Sequence, residues 1–201
     1  IGREHALLFA AEGAQVVVVD TGSEPDGLGH DPTVAQAVAD EITDVGGAAV
    51  ASSADVSTMA GATSVRDLAL DVFGDIHVVV NNAGVLRDKM FATMDEEDWD
   101  AVINGHLRTT FCMSRVACGR WRDENKAGKA VDGAIINTTS TSGLIGSVGQ
   151  TNYGAAKAAI ASFTMILAME AGRYGVRVNA VSPAARTRMT ADSPGTKDMV
   201  R

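Results

Sequence analysis

The chain has 201 residues, enough for one domain with a substantial core; 46% are hydrophobic but only 4% aromatic, so that core is aliphatic. Glycine (21) is plentiful and proline (4) scarce, which favours close helix–strand packing over disorder. A formal net charge of −8 argues against nucleic acid or an anionic membrane surface as the main partner and leaves small molecules open.

The first residues, Ile1-Gly2-Arg3-Glu4-His5-Ala6-Leu7-Leu8, already follow a helical pattern, extending over 2–11, without a cap or a starting methionine. The expectation is a single domain over 1–201 that is truncated at both ends. Val16–Val19 reads as a strand closed by Asp20, and Thr21–Pro32 as a surface loop. Gly27-Leu28-Gly29 in that loop imitates a phosphate-binding turn, but the third glycine of such a turn would fall at Pro32. A helix over 33–45 leads to a weaker strand, Ala48–Ser52, then Asp55-Val56 and a helix over 57–73. His77–Val80 is a strand followed by Asn81-Asn82-Ala83-Gly84. The stretch 95–123 reads as two helices, and its opening run Asp95-Glu96-Glu97-Asp98 suits the positive end of a helix dipole. Cys112 and Cys118 in this stretch have neither disulfide nor metal spacing, which predicts buried thiols, no metal and a reducing, cytoplasmic setting. After a loop at Asp123–Asp132, Ala134–Asn137 is a strand that leads to Ser140. A helix over 152–173 precedes the strand Val176–Val181 and Ser182-Pro183. No apolar run is expected to reach membrane-spanning length. Met94, Met113, Met165 and Met169 read as packing residues.

The apolar runs of these strands are continuous, as in parallel strands covered on both faces. Strands alternating with helices define a doubly wound, Rossmann-like α/β fold. In such sheets ligands bind beyond the carboxyl ends of the strands. Asp20, Asp55, Asn81-Asn82, Ser140 and Ser182 all fall there, which predicts a cleft floor. The sharpest local signal is Tyr153-Gly-Ala-Ala-Lys157, since residues four apart project from one helix face. A free phenol titrates near ~10, and a neighbouring ammonium favours the phenolate. The pair is therefore either a general acid/base or an ordinary surface tyrosine and lysine on an alanine-rich helix.

Asn81-Asn82-Ala83-Gly84, Ser140 with Gly143, and Tyr153-x-x-x-Lys157 together resemble the short-chain dehydrogenase/reductase family over nearly the whole chain. The resemblance implies that Tyr153 transfers the substrate proton, that Lys157 binds the nicotinamide ribose and assists Tyr153, and that Ser140 hydrogen-bonds the substrate oxygen. It implies NAD as cofactor. Gly2 matches the last glycine of the family's phosphate-binding turn, so the first strand and the rest of that turn are expected ahead of Ile1. Asp20, eighteen residues after Gly2, matches the acidic residue of NAD-selecting members, where a carboxylate accepts from both ribose hydroxyls and repels a 2′-phosphate. Asp55-Val56 matches the adenine-contacting pair, and Asn82, Ala83 and Gly84 line the cofactor site. Pro183-Ala184, with Thr187 beyond, stands where the family has Pro-Gly. His106, rather than nearby Asn104, stands at the position of the family's catalytic-helix Asn; it either packs at a helix start or joins a proton relay. The blocks Gly84-Val-Leu-Arg-Asp88, Asp98-Trp99-Asp100, His106-Leu107-Arg108 and Arg188-Met189-Thr190 resemble the (3R)-hydroxyacyl-CoA dehydrogenase domain of peroxisomal multifunctional enzymes and bacterial relatives. The implied reaction interconverts a secondary alcohol and a ketone, the favoured substrate being a 3-hydroxyacyl-CoA. A steroid or other bulky alcohol, or a catalytically idle nucleotide-binding domain, are the alternatives. The family often forms homodimers or homotetramers through the helix matching 152–173.

Overall fold

The structure is a computed structural model and describes residues 1–185. Its helices are α1 (Gly2–Ala11), α2 (Thr33–Asp44), α3 (Met59–Phe73), α4 (Glu96–Ile103), α5 (Thr109–Lys126), α6 (Thr141–Ile145) and α7 (Thr151–Ala171). Its strands are β1 (Gln15–Val19), β2 (Ala48–Ser52), β3 (Val78–Asn81), β4 (Gly133–Thr138) and β5 (Val176–Val181). All strand pairs are parallel, and each pair is joined by a helical crossover, which gives the expected Rossmann-like α/β fold. The strands form two pieces: β1 beside β2, and β3, β4, β5 in that order.

Local chemistry sets the element ends. Thr58 caps α3 by accepting from the Gly61 amide at 3.0 Å, and Asp95 caps α4 by accepting from the Asp98 amide at 2.8 Å. The stretch expected as two helices is nearly continuous, but a π-helical turn at Asn104–Arg108 separates α4 from α5. Such widened turns concentrate at functional sites. The short helix α6 was not foreseen: five residues are too few to show a period.

The main core lies on one face of β3–β4–β5, where Val79, Ile135, Val176 and Val178 meet Ala117 and Trp121 of α5 and Ala171 of α7. Beside it runs a buried polar ladder. Asn81 Nδ2 donates to Asn137 Oδ1 at 2.8 Å and to Ser114 Oγ at 3.1 Å, and Asn137 Nδ2 donates to Thr164 Oγ1 at 2.8 Å. Asn81 and Asn137 are also register partners, so the ladder fixes how far β3 slides along β4.

Two expectations are corrected here. Met165 and Met169 are not packing residues; they are exposed on α7. By length and composition the stretch 151–174 is long and apolar enough to cross a membrane. In this fold the same helix turns Asn152, Lys157, Ile160 and Thr164 inward against the sheet.

Candidate active site

Tyr153, Lys157 and Ser140 meet at the carboxyl end of β4. Ser140 ends the strand connection and caps α6, accepting from the Ser142 amide at 3.2 Å. Helix α6 lies directly on α7 because residue 143 is glycine: a Cβ there would sit 2.6 Å from the Ala158 nitrogen and 2.7 Å from the Lys157 carbonyl carbon. Thr139 Oγ1 donates to the Lys157 carbonyl at 2.8 Å, which ties the same turn of α7 to the strand end.

Lys157 is buried, its Nζ donating to the Thr138 carbonyl at 2.7 Å and lying 5.6 Å from the centre of the Tyr153 ring. Burial pushes its ammonium down to about 8. Burial also raises the Tyr153 phenol above the ordinary tyrosine range; a hydrogen bond from Ser140 pulls it back, and the Asp88 carboxylate adds a smaller rise. The ammonium faces the ring and a carbonyl, and Ser140 favours the phenolate.

His106 sits in the π-helical turn, buried, with its ring edge-on to Tyr153 at 5.1 Å between centres and 78° between planes. A carbonyl can only accept, so the 2.8 Å contact to Val85 places the proton on Nε2. Nδ1 is then an acceptor, buried without a partner among the described residues. Burial first, and the Lys157 cation second, hold the ring's pKa near about 3. Glycine at 84 makes room for it, since a Cβ there would lie 1.8 Å from His106 Cε1. Of the two readings of His106, the geometry favours a seated neutral ring.

Sequence reasoning missed the residues that hold the first turn of α7. Asn152 is fully buried; its Nδ2 donates to the carbonyls of Arg87 at 3.0 Å and Asp98 at 3.1 Å, and its Oδ1 accepts from the Tyr153 amide at 2.8 Å. Gln150 donates to Asp88 at 2.8 Å and accepts from Ser142 Oγ at 2.7 Å. Asp98 belongs to the acidic run that opens α4, as expected, but it does not face solvent. Its side chain is buried and ion-paired with Lys89. A polar residue directly before the tyrosine was the only local signal.

The residues expected to hold a cofactor lie along one edge. Helix α1 begins at Gly2, on the same edge. A Cβ on Gly2 would lie 2.9 Å from Asn82 Nδ2, so the start of α1 and the end of β3 are in contact. Asp20 follows β1 and accepts from the Gly22 amide at 2.7 Å; Asp55, followed by Val56, comes after β2 and accepts from the Ser57 amide at 2.9 Å. Asn82, Ala83 and Gly84 follow β3, and Pro183-Ala184 follows β5, exposed. Thr187 lies outside the described residues. A helix start, an acidic strand end and a buried ammonium are groups of the kind that dinucleotide sites use.

A Rossmann-like fold with serine, tyrosine and lysine converging at its strand ends is the pattern of the short-chain dehydrogenases. The chain belongs to the short chain dehydrogenase family, whose sequence model matches residues 1–198. It is 46% identical over 198 residues to the hydroxyacyl-CoA dehydrogenase ChsB1 of Mycobacterium tuberculosis, covering 96% of this chain and 60% of that protein. It is 42% identical to the peroxisomal multifunctional enzyme type 2 of Mus musculus, covering 94% of this chain and 25% of the enzyme. Among solved structures, a short chain dehydrogenase from Mycobacterium avium matches with a TM-score of 0.86 and 55% identity, over 94% of this chain and 65% of that one. The chain thus spans less than two thirds of each of these relatives.

Proposed function

We propose that this domain interconverts a secondary alcohol and a ketone with NAD as cofactor, and that its substrate is a 3-hydroxyacyl-CoA. The observation that carries the reading is Tyr153 brought beside Ser140 and the buried Lys157, whose Nζ lies 5.6 Å from the centre of the ring. The substrate class draws support from the names of the relatives, a hydroxyacyl-CoA dehydrogenase and peroxisomal multifunctional enzymes.

In this reading the amides at Gly2 face the diphosphate, and Asp20 accepts from the adenosine ribose. Asp55 and Val56 border the adenine, while Asn82, Ala83, Gly84, Pro183, Ala184 and Thr187 line the rest of the groove. NAD supplies the hydride acceptor when bound. Ser140 orients the substrate oxygen. Tyr153 takes the hydroxyl proton in oxidation and returns it in reduction. Lys157 holds positive charge beside the phenol and contacts the nicotinamide ribose. His106, neutral, packs the far edge of the tyrosine ring and stores no proton at neutral pH. Cys112 and Cys118 are free thiols that burial pushes above the ordinary range, Cys118 to about 11, which makes them unreactive packing groups; the cytoplasmic setting is proposed from cysteine usage alone. The exposed Met165, Ile166 and Met169 on α7 support a homodimer or homotetramer.

The test is a turnover assay of the full-length protein with 3-hydroxyacyl-CoA, steroid and simple secondary alcohols, each with NAD and NADP. NAD-linked oxidation of the acyl-CoA is the expected result. Turnover of steroids alone would replace the substrate class, and no turnover of any alcohol would favour an idle nucleotide-binding domain.

A further inference from the structure

Tyr153 is the third residue of α7, so its amide is among those a helix leaves without an internal partner. Asn152 supplies that partner from the adjacent position, through Oδ1 at 2.8 Å. Its other end reaches across the chain to the carbonyls of Arg87 and Asp98, so one fully buried side chain joins three segments. Those segments are held again nearby. The Lys89 amide donates to the Gly149 carbonyl at 2.9 Å, Gln150 donates to Asp88 at 2.8 Å, and Lys89 is ion-paired with Asp98. The stretch from Arg87 to Asp98 therefore forms a brace against the first turn of α7, with Asn152 at its buried centre.

The alternatives for Asn152 are weaker. Asn81 and the buried Asn137 also join distant segments, but they bond to other side chains, whereas Asn152 binds two backbone carbonyls 65 and 54 residues away and the amide of Tyr153. A helix cap alone would need only the oxygen. Here both polar ends are used, and the residue they flank carries the reacting phenol.

We propose that Asn152 is a positioning residue for the reaction: by fixing the first turn of α7 to the 87–98 stretch it holds the Tyr153 phenol in hydrogen-bond reach of Ser140. The inference rests on the dehydrogenase reading above. It has a consequence that a purely structural role lacks. Ser140 is the group that favours the phenolate, and the others facing the phenol are Asp88, His106 and Lys157. A turn that drifts from Ser140 loses that help, so the basic group of the reaction titrates at higher pH.

The experiment compares wild type, Asn152→Ala, Asn152→Ser and Tyr153→Phe in the full-length protein. Each is first shown to be folded by circular dichroism and a cooperative melt. A misplacement of about 1 Å costs roughly a hundredfold in turnover. Asn152→Ala should therefore lower kcat roughly ten- to a hundredfold, leave the NAD dissociation constant within about twofold, and move the pH midpoint of alcohol oxidation upward. Asn152→Ser keeps a shorter donor and acceptor and should recover part of both losses; if the alanine variant fails to fold, this variant carries the test. A folded variant with wild-type kcat and an unmoved pH midpoint overturns the proposal, even if its melting temperature drops. If wild type turns over no alcohol, or Tyr153→Phe is fully active, the dehydrogenase reading falls and this inference falls with it.

Discussion

The β1–β2 half and the β3–β4–β5 half are made of the same kind of strand, yet they are finished differently. In the first, α2 buries Ala35, Ala39 and Ile42, and α3 buries Ala62, Val65 and Ala69. Its functional carboxylates, Asp20 and Asp55, are exposed and held by amides of their own turns. In the second, Gly133, Ile135, Asn137 and Thr138 of β4 are buried, and side chains from distant segments satisfy one another. The difference separates two tasks. The β3–β4–β5 half holds its polar groups through side chains of distant segments, whereas Asp20 and Asp55 are held by their own turns. Changes in the second half should therefore act on turnover and stability, and changes in the first on affinity and cofactor choice.

The largest effect expected of this division is at Tyr153. Tyr153→Phe keeps the ring against His106 but removes the proposed proton carrier, and general acid–base catalysis contributes about 10²–10⁴-fold. Its kcat should fall at least about a hundredfold while NAD affinity, read by direct titration, stays nearly constant. Lys157→Met should lower both, since it removes the charge beside the phenol and the ribose contact. Undiminished oxidation by folded Tyr153→Phe would break the assignment of chemistry to this half.

A stability contrast tests the packing directly. Asn137→Ala leaves Asn81 and Thr164 without their buried partner and should cost roughly 1–3 kcal/mol in urea unfolding. Asp55→Ala, at an exposed turn, should cost under about 1 kcal/mol. Equal losses would erase the distinction between the halves.

Cofactor choice belongs to the other half and should respond more mildly. Asp20→Ala removes a charged acceptor, a loss of about 1.5–3 kcal/mol per hydrogen bond, and should cut the preference for NAD over NADP by about ten- to a hundredfold. Equal use of both cofactors by the wild type would remove the role given to Asp20.

These contrasts follow how the chain could be read. The strands were legible because their β-branched runs are continuous, and Tyr153, Lys157 and Ser140 because a helical spacing and a strand end are local signals. The π-helical turn at Asn104–Arg108 was not, since its cause lies in contacts with residues near Val85 rather than in its own composition. Asn152 and Gln150 were missed for the same reason: their partners lie 54–65 residues away. Periodicity placed Tyr153 and Lys157 on one face but did not say that Lys157 Nζ would bond the Thr138 carbonyl. The exposure of Met165 and Met169 was equally invisible, since an apolar helix face reads alike whether a sheet or a second chain covers it.

The smallest expected effect is at His106, and it concerns acid stability. His106→Ala should lose less turnover than Tyr153→Phe, because the one ring proton is committed to the Val85 carbonyl and the helix backbone at this position survives the replacement. Neutrality has a measurable cost in acid. An unfolded histidine titrates near ~6.5, whereas this one is held near about 3 in the folded protein. Between those values the unfolded chain binds a proton that the folded chain refuses. The contribution of His106 to stability is therefore complete above about pH 6.5 and declines as the pH falls toward about 3, by up to about 1.4 kcal/mol per pH unit. His106→Asn keeps a donor for the Val85 carbonyl but cannot be protonated in this range. All other acidic and histidine groups are common to both proteins, so the difference between their urea midpoints isolates this ring. The variant should be the less stable near neutrality, and its deficit should shrink or reverse at about pH 5. If the two proteins instead lose stability in parallel, His106 accepts a proton while folded, and it regains its place as a candidate relay beside Tyr153.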